Sequence, residues 1–411
     1  MINSRIYLLT ETFYPPNWDG VAKHAHQLSE RLAEKKQSVC VITRQTEPPS
    51  SSYERIKNVS VRRISPGGFL KGAGWRAIGP LLLFLVQLFY LLVKKRSQYD
   101  IILTCGVKVL PIPAVFACAI GKKKCIIRVE SSMELLEDIS AESLGKMGFF
   151  QRSVLLRVAQ ILQRAALMRA DRIVAVSSEI KRELIRSGVL PEKIESIPNG
   201  IDTNRFSPVS IEQKMNLRKK LFLPIEGVLF TFAGRLAVSK GVPLLVQAWK
   251  ELSEKYRDTH LLFVGSGEGS FDSCEDDLKT YIELNNLKER VSITGVVGNV
   301  HEYLQASDVF IFPSEYEGFG LAFIEALACA LPLVVTRVGV APEMIREKEN
   351  GLLINPQNQK ELMAGIEWLL DHKDLWATIG ENARKTVVER YSIDTIADRY
   401  FEMFLNVRSS V

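Results

Sequence analysis

The sequence predicts an α/β protein built as two doubly wound units, each a parallel sheet covered by helices on both faces. Three observations carry that reading. Apolar runs of strand length alternate with stretches of helical period along most of the chain. The alternation halts at residues 198–210 (PNGIDTNRFSPVS), which hold turn chemistry without periodicity, and then begins again. At 411 residues the chain also exceeds one ordinary core, so two domains of roughly 200 residues each are expected. The divisions that follow are residues 1–200 and residues 201–389, with a closing helix near 390–411 expected to pack back on the first domain.

From the start, residues 5–10 alternate into a strand and 11–20 form a loop rich in Pro, Asn, Asp and Gly. Residues 21–35 repeat apolar side chains at helical spacing (Val21, Ala25, Leu28, Leu32), and 39–43 make a second strand. Further strands are expected at 59–64, 101–105, 125–129 and 172–176, with helical stretches between most of them. Strands separated by helices pair in parallel. After the junction, strands are expected at 227–233, 260–264, 291–294, 309–312 and 332–336, each followed by a helix-like stretch. Helical residues from about 358 to 407 close the chain.

One segment leaves three readings open. Residues 77–93 (AIGPLLLFLVQLFYLLV) are almost wholly apolar and run into Lys94, Lys95 and Arg96. As a helix they span roughly 26 Å, short of the ~30 Å hydrocarbon thickness. A crossing would also separate strands that belong to one sheet. A buried crossover helix and an interfacial helix are the alternatives, and they overlap, because a helix packed on a sheet can touch lipid on its far side.

The net charge of +6 hides a division. Residues 1–190 hold 29 Lys/Arg against 15 Asp/Glu, and residues 191–411 hold 24 against 32. The first half is therefore suited to an anionic partner, unless the charges merely form a mosaic of solvated faces. Six cysteines stand apart at 40, 105, 118, 125, 274 and 329, with no CxxC pair, which argues against zinc or disulfide frameworks and for buried thiols in a reducing compartment. The apolar stretch at 6–9 ends at Glu11, too short for an export signal, so a cytoplasmic location is expected. No interleaved aromatic and basic stripe supports a nucleic-acid partner.

Ligands of open parallel sheets bind beyond the carboxyl ends of the strands, so the loops there are the places to look for chemistry. Residues 313–331 (PSEYEGFGLAFIEALACAL) are the most informative. An apolar strand runs into Pro313–Ser314, a loop carries Glu315 and Glu317, Gly318 and Gly320 permit tight backbone approach, and a helix begins near Leu321. A helix N-terminus offers unpaired N–H groups to phosphate or sugar oxygens. Glu317 before it and Glu325 inside it can each accept paired hydrogen bonds from adjacent hydroxyls, as on a ribose or hexose. The plainer reading is a charge complementing the helix dipole plus a solvated Glu.

The second cluster is FAGRLAVSKG, residues 232–241, where Arg235 and Lys240 follow a strand end. Two cations there can neutralise a diphosphate. Each enclosed charge pair is worth on the order of 4 kcal/mol before desolvation, against about 1 kcal/mol for an exposed pair. Ordinary surface cations are the alternative. Residues 262–269 (LFVGSGEG) approach a dinucleotide fingerprint, but Ser270 occupies the third glycine position, so they read as a flexible loop after a strand.

Taken together these residues resemble the retaining, GT-B-fold glycosyltransferases of family 4 (glycosyl transferases group 1), and the resemblance covers nearly the whole chain. It implies two Rossmann-like domains facing across a cleft, the first acceptor-side and the second nucleotide-sugar-binding. The family's E-x7-E carboxylates match Glu317, which would approach the sugar, and Glu325, which would hold the ribose hydroxyls. Its diphosphate-holding cations correspond to Arg235 and Lys240. Its donor-binding backbone matches Gly20, Val297, Gly318, Phe319, Gly320 and Leu321, and residues 174–206 look like its interdomain segment. Three places depart from the pattern. Asp19-Gly20 replaces a Gly-Gly pair, although His24 stands where a family histidine often does. Gly339-Val340 replaces a second Gly-Gly pair before Glu343. Glu130-Ser131-Ser132, with Glu134 nearby, stands where many members carry a histidine near the reacting sugar, so no acceptor base is named.

The resemblance implies a hexosyltransferase-type enzyme with Glu317, Arg235 and Lys240 catalytic. It would move a sugar from a UDP-, GDP- or ADP-linked donor to a lipid-linked or cell-surface glycan. No D-x-D occurs, so a metal-independent reaction without cofactor is expected. The basic first half, the 77–93 helix and the helical stretch with Arg152, Arg157, Arg164 and Arg169 add an expected peripheral contact with the anionic inner face of a membrane. A non-catalytic nucleotide-sugar-binding subunit and a GT-B-fold sugar-nucleotide epimerase are the alternatives.

Overall fold

The computed structural model describes residues 4–13, 20–45, 52–65, 75–106, 108–130 and 149–409, except the side chains of 75–78 and 149–156. Asp19, Ser131, Ser132 and Glu134 and the side chain of Arg152 thus lie outside the described residues. The chain's contacts divide it into two units: Met1–Gly200 together with Ile393–Val411, and Ile201–Ser392.

The first unit runs β1 (Arg5–Thr10), α1 (Gly20–Glu34), β2 (Ser38–Arg44), β3 (Tyr53–Ile56), β4 (Val59–Ile64), α2 (Trp75–Lys94), β5 (Ile101–Cys105), α3 (Pro111–Gly121), β6 (Lys124–Val129), α4 (Phe149–Arg169), β7 (Arg172–Ala175), α5 (Ser178–Arg186) and β8 (Ile194–Ser196). Its eight strands are ordered β3-β4-β2-β1-β5-β6-β7-β8. All pair in parallel except β3, which is antiparallel to β4. β5 (IILTC) is buried along its whole length, as a strand covered on both faces must be.

The second unit runs α6 (Ile211–Lys220), β9 (Val228–Ala233), α7 (Val242–Lys255), β10 (Thr259–Val264), α8 (Glu275–Leu284), β11 (Val291–Ile293), α9 (Val300–Ala306), β12 (Val309–Phe312), α10 (Leu321–Ala328), β13 (Leu333–Thr336), α11 (Ala341–Met344), β14 (Leu352–Ile354), α12 (Gln359–Asp371) and α13 (Trp376–Tyr391). Its sheet is wholly parallel in the order β11-β10-β9-β12-β13-β14. Local chemistry sets the helix starts. Ser210 and Gln213 close a reciprocal capping box at α6. α7 turns Val242, Leu245, Trp249 and Leu252 inward on one stripe, against Phe230 and Phe263 of the sheet.

The closing helix α14 (Ile393–Ser409) belongs to the first unit. Its Ile396, Tyr400 and Phe404 share a core with Ile6, Leu8 and Leu103. Arg31 of α1 and Lys35 just after it pair with Asp394 and Asp398 of α14 at 3.2 and 2.6 Å. Burying such large side chains contributes about 1.5–3 kcal/mol each.

The strands absent from the predicted set are β3, β8 and β14, and all three lie at sheet edges. An edge strand of three or four residues needs no continuous apolar run, so it leaves little periodic signal. The helical closing stretch is three helices, α12, α13 and α14. All six cysteines are free thiols. Among the described residues no helix is long and apolar enough to cross a membrane.

Candidate active site

In each sheet the strand order reverses once, between β1 and β5 in the first and between β9 and β12 in the second. At such a switch point the loops leaving adjacent strands diverge to opposite faces and open a crevice at the carboxyl ends. In the second unit those two loops are the ones singled out by sequence. The loop after β9 carries Arg235 and Lys240, and the loop after β12 carries Glu317 and leads to α10.

The two loops are bonded to each other. Lys240 Nζ donates to Glu317 Oε1 at 2.6 Å, and Ser314 Oγ donates to the same oxygen at 3.0 Å. The two charged side chains are only 17% and 13% exposed, so water screens their attraction only in part. The backbone of Glu315 donates to the Ser239 carbonyl at 2.9 Å. Ser314 is fully buried, and its carbonyl accepts from Thr336 Oγ1 at 2.6 Å, which ties the loop to β13. Close approach of the loops depends on Gly241, with φ of 70°. A Cβ there would lie 2.1 Å from the Pro313 carbonyl oxygen.

Gly320 caps α10 with φ of 97°, in the left-handed region that favours glycine, so the backbone turns sharply from Glu317 into the helix. Gly318 and Leu321 are half-buried and Phe319 is buried beside Tyr391. Because α10 begins only at Leu321, loop and helix share the interval between the two glutamates about equally. Glu325 is 5% exposed, in the interior of the helix beside Cys329. Burial, reinforced by that carboxylate, pushes the Cys329 thiol up.

Arg235 is placed differently. It is exposed, and its guanidinium donates to Ser270 Oγ at 3.0 Å, on the loop after β10. That loop, expected to be flexible, is pinned. Ser270 Oγ donates to Asp272 Oδ1 at 2.7 Å, and Asp272 also accepts from the Ser239 hydroxyl and backbone. Partial burial raises the Asp272 pKa, but these hydrogen bonds outweigh it and bring it down to about 2. Glu275 accepts from Lys279, from Ser266 Oγ at 2.6 Å and from the Gly267 amide at 2.7 Å, which also bring it to about 2. Ser239 lies within the singled-out 232–241 cluster, but Ser270, Asp272 and Glu275 were not legible as candidate site residues. Their only signal was a polar segment after a strand.

Val297 is half-buried in the loop after β11, where Gly295 bridges to Gly265 and the Gly298 carbonyl accepts from Arg205 at 2.9 Å. In the first unit, Gly20 opens α1 at the carboxyl end of β1. His24 is buried within α1, and its Nδ1 accepts from the Gly200 amide at 3.4 Å. Burial first, and the Arg128 charge second, hold that imidazole neutral with a pKa well below its usual range. Glu130 is ion-paired with the fully buried Arg128, which also bonds Asn199. A separate groove in the second unit, lined by Lys214, Asp308, Arg384 and Lys385 among others, lies at the amino ends of β12 and β13, away from the switch point. Among the described residues no cluster of His, Cys, Asp or Glu has the geometry of a metal site.

Comparison with known proteins agrees with this architecture. Residues 213–386 match the family Glycosyl transferases group 1, and residues 18–205 match Glycosyltransferase Family 4. An uncharacterized glycosyltransferase of Methanocaldococcus jannaschii is 26% identical over 398 residues, 96% of each chain. The Escherichia coli UDP-Gal:alpha-D-GlcNAc-diphosphoundecaprenol alpha-1,3-galactosyltransferase is 29% identical over 329 residues, 78% of this chain and 80% of that one. Among solved structures, Anabaena HepE in complex with UDP and glucose matches over the full length of both chains with a TM-score of 0.76 at 20% identity, a likeness of fold.

Proposed function

The chain belongs to the GT-B-fold glycosyltransferases of family 4, and from that premise we propose that it moves a sugar, with retention of configuration, from a nucleotide-diphosphate sugar to a lipid-linked or cell-surface glycan. The observation that carries the donor half is the Lys240–Glu317–Ser314 contact at the switch point of the second sheet. It sets a cation, a carboxylate and the N–H groups of a helix start within one crevice. A donor needs these three: positive charge and N–H groups for the diphosphate, and an acceptor of hydrogen bonds for the sugar hydroxyls.

In this reading Lys240 keeps two N–H donors beyond its bond to Glu317 and offers them to the diphosphate. Arg235 swings from Ser270 to the same group, and the amides of residues 318–321 take the remaining phosphate oxygens. Glu317 holds the transferred sugar, Glu325 the ribose hydroxyls, and Val297 the base. As the glycosidic bond breaks, negative charge grows on the leaving diphosphate, which these cations and amides would stabilise. These groups supply the electrostatics, so turnover is expected to persist in chelator. UDP-sugars are the first donors to test, since HepE is described with UDP. The acceptor is met by peripheral contact with the anionic cytoplasmic face of a membrane, a reading the basic first half supports.

A thermal-shift panel of UDP-, GDP- and ADP-sugars tests the donor site, because a ligand that binds only the folded state raises its melting temperature. The expected result is stabilisation by one nucleotide class, lost in Lys240→Ala. Transfer or slow donor hydrolysis that survives undiminished in Glu317→Ala would overturn the assignment.

A further inference from the structure

We infer that the outer face of α2, α3 and α4 is a membrane-docking surface that seats the first unit on an anionic bilayer by inserting apolar side chains among the headgroups. The inference deepens the proposed membrane contact and rests on that reading for its partner, while standing apart from the donor site.

α2 is apolar on both sides. Phe84, Leu88 and Leu92 face inward and are buried, as one stripe of a packed helix should be. The opposite stripe should then be polar, yet it presents Leu82, Val86 and Tyr90, the last two 63% and 64% exposed. α3 packs against both α2 and α4, and the neighbours continue the pattern. Ile120 of α3 is 59% exposed, and Val158 and Ile161 of α4 are exposed as well, Ile161 at 66%. Soluble monomers seldom leave large apolar side chains grouped in this way on adjoining helices.

Among the described residues, the charge that these helices carry has one sign. Residues 75–94, 111–121 and 149–169 contain no Asp or Glu. Lys94, Arg96, Lys122, Arg157, Arg164 and Arg169 are all exposed on or beside these helices. Two of them lie along the apolar surface itself. Lys94 Nζ sits 5.6 Å from the centre of the Tyr90 ring, and the Arg169 guanidinium sits 6.0 Å from that of Phe116 on α3. Long cationic side chains lying on apolar surface with their charge at its margin suit an interface with hydrocarbon below and phosphate around. A second copy of the chain fits less well. A two-fold interface sets each patch against itself, and here that would oppose cation to cation.

Vesicle co-sedimentation with phosphatidylcholine alone and with added phosphatidylglycerol tests this. Full-length protein should bind the anionic vesicles at least about tenfold more tightly than the neutral ones. Some binding should persist in about 1 M salt, where the Debye length falls to ~3 Å and charge attraction alone is screened. The exposed substitutions Val86→Asp, Tyr90→Asp and Ile161→Asp, combined, should weaken binding about tenfold or more while leaving the thermal shift by nucleotide sugar intact. That shift, measured without vesicles, keeps the failure of either proposal distinct from the other and shows that the variant is folded. Folded wild-type protein that ignores anionic vesicles at low salt would overturn the inference. So would a combined variant that binds like wild type, or one whose only change is the loss of a dimer seen by sedimentation.

Discussion

The two sheets are wound on one plan, each reversing its strand order once, but they place their chemistry differently. In the second unit the charged and hydroxylic side chains are gathered in loops at the carboxyl end and cross-bonded, Lys240 to Glu317 and Ser239 to Asp272. In the first unit the feature that departs from an ordinary soluble domain is on helix flanks, where α2, α3 and α4 carry apolar and basic side chains and no acid. The shared plan fixes where a crevice opens. Which surface is used depends on residues the plan leaves free: loop residues in one unit and outward helix positions in the other.

The comparison is broken most forcefully at Glu317. Glu317→Ala is expected to lower kcat about 100- to 1000-fold in a transfer assay while the melting of the first unit stays put. Unchanged kcat would move the chemistry out of the second unit. Next, Phe404→Ala should cost the first unit about 3–5 kcal/mol, read by denaturant unfolding, because α14 completes that unit's core. Nucleotide-sugar binding should survive it. Lys240→Ala should weaken donor binding about 10- to 100-fold by titration, the scale of a lost charge-assisted hydrogen bond.

The smallest effect concerns pH. Asp272 and Glu275 are both held near 2, below their ordinary values of 3.8 and 4.5. The folded loop therefore binds protons more weakly than the unfolded chain does. Their contribution is complete above those ordinary values and is lost as pH falls toward 2. The protection of the 266–273 amides, taken as their exchange relative to the unstructured chain at the same pH, should fall across that window, ahead of that of the α7 amides.

The two charged loops of the second unit were legible because each is contiguous: a strand, then charge and glycine, then a helix, all within about ten residues. Glu317 and Lys240 could be named from sequence, but their contact spans 77 residues and needed the switch point to bring them together. The bracing by Asp272 was hidden for the same reason, since it reaches back 33 residues to Ser239. His24 and Glu130 show the reverse difficulty. Each occupies a suggestive position in sequence, yet burial and the Arg128 charge keep His24 neutral, and Glu130 is spoken for by the same arginine.

The discontinuity of the first unit has a consequence for biosynthesis. Residues 201–392 leave the ribosome as one unbroken stretch, so that unit can close its core during translation. The amino-terminal unit emerges earlier but must wait for Ile396, Tyr400 and Phe404, which are made only after the whole of the second unit. The usual vectorial order, amino-terminal unit first, is thereby inverted. Until α14 emerges, the nascent amino-terminal unit exposes the patch that this helix will cover, and a nascent chain stalled short of residue 393 should recruit chaperones there.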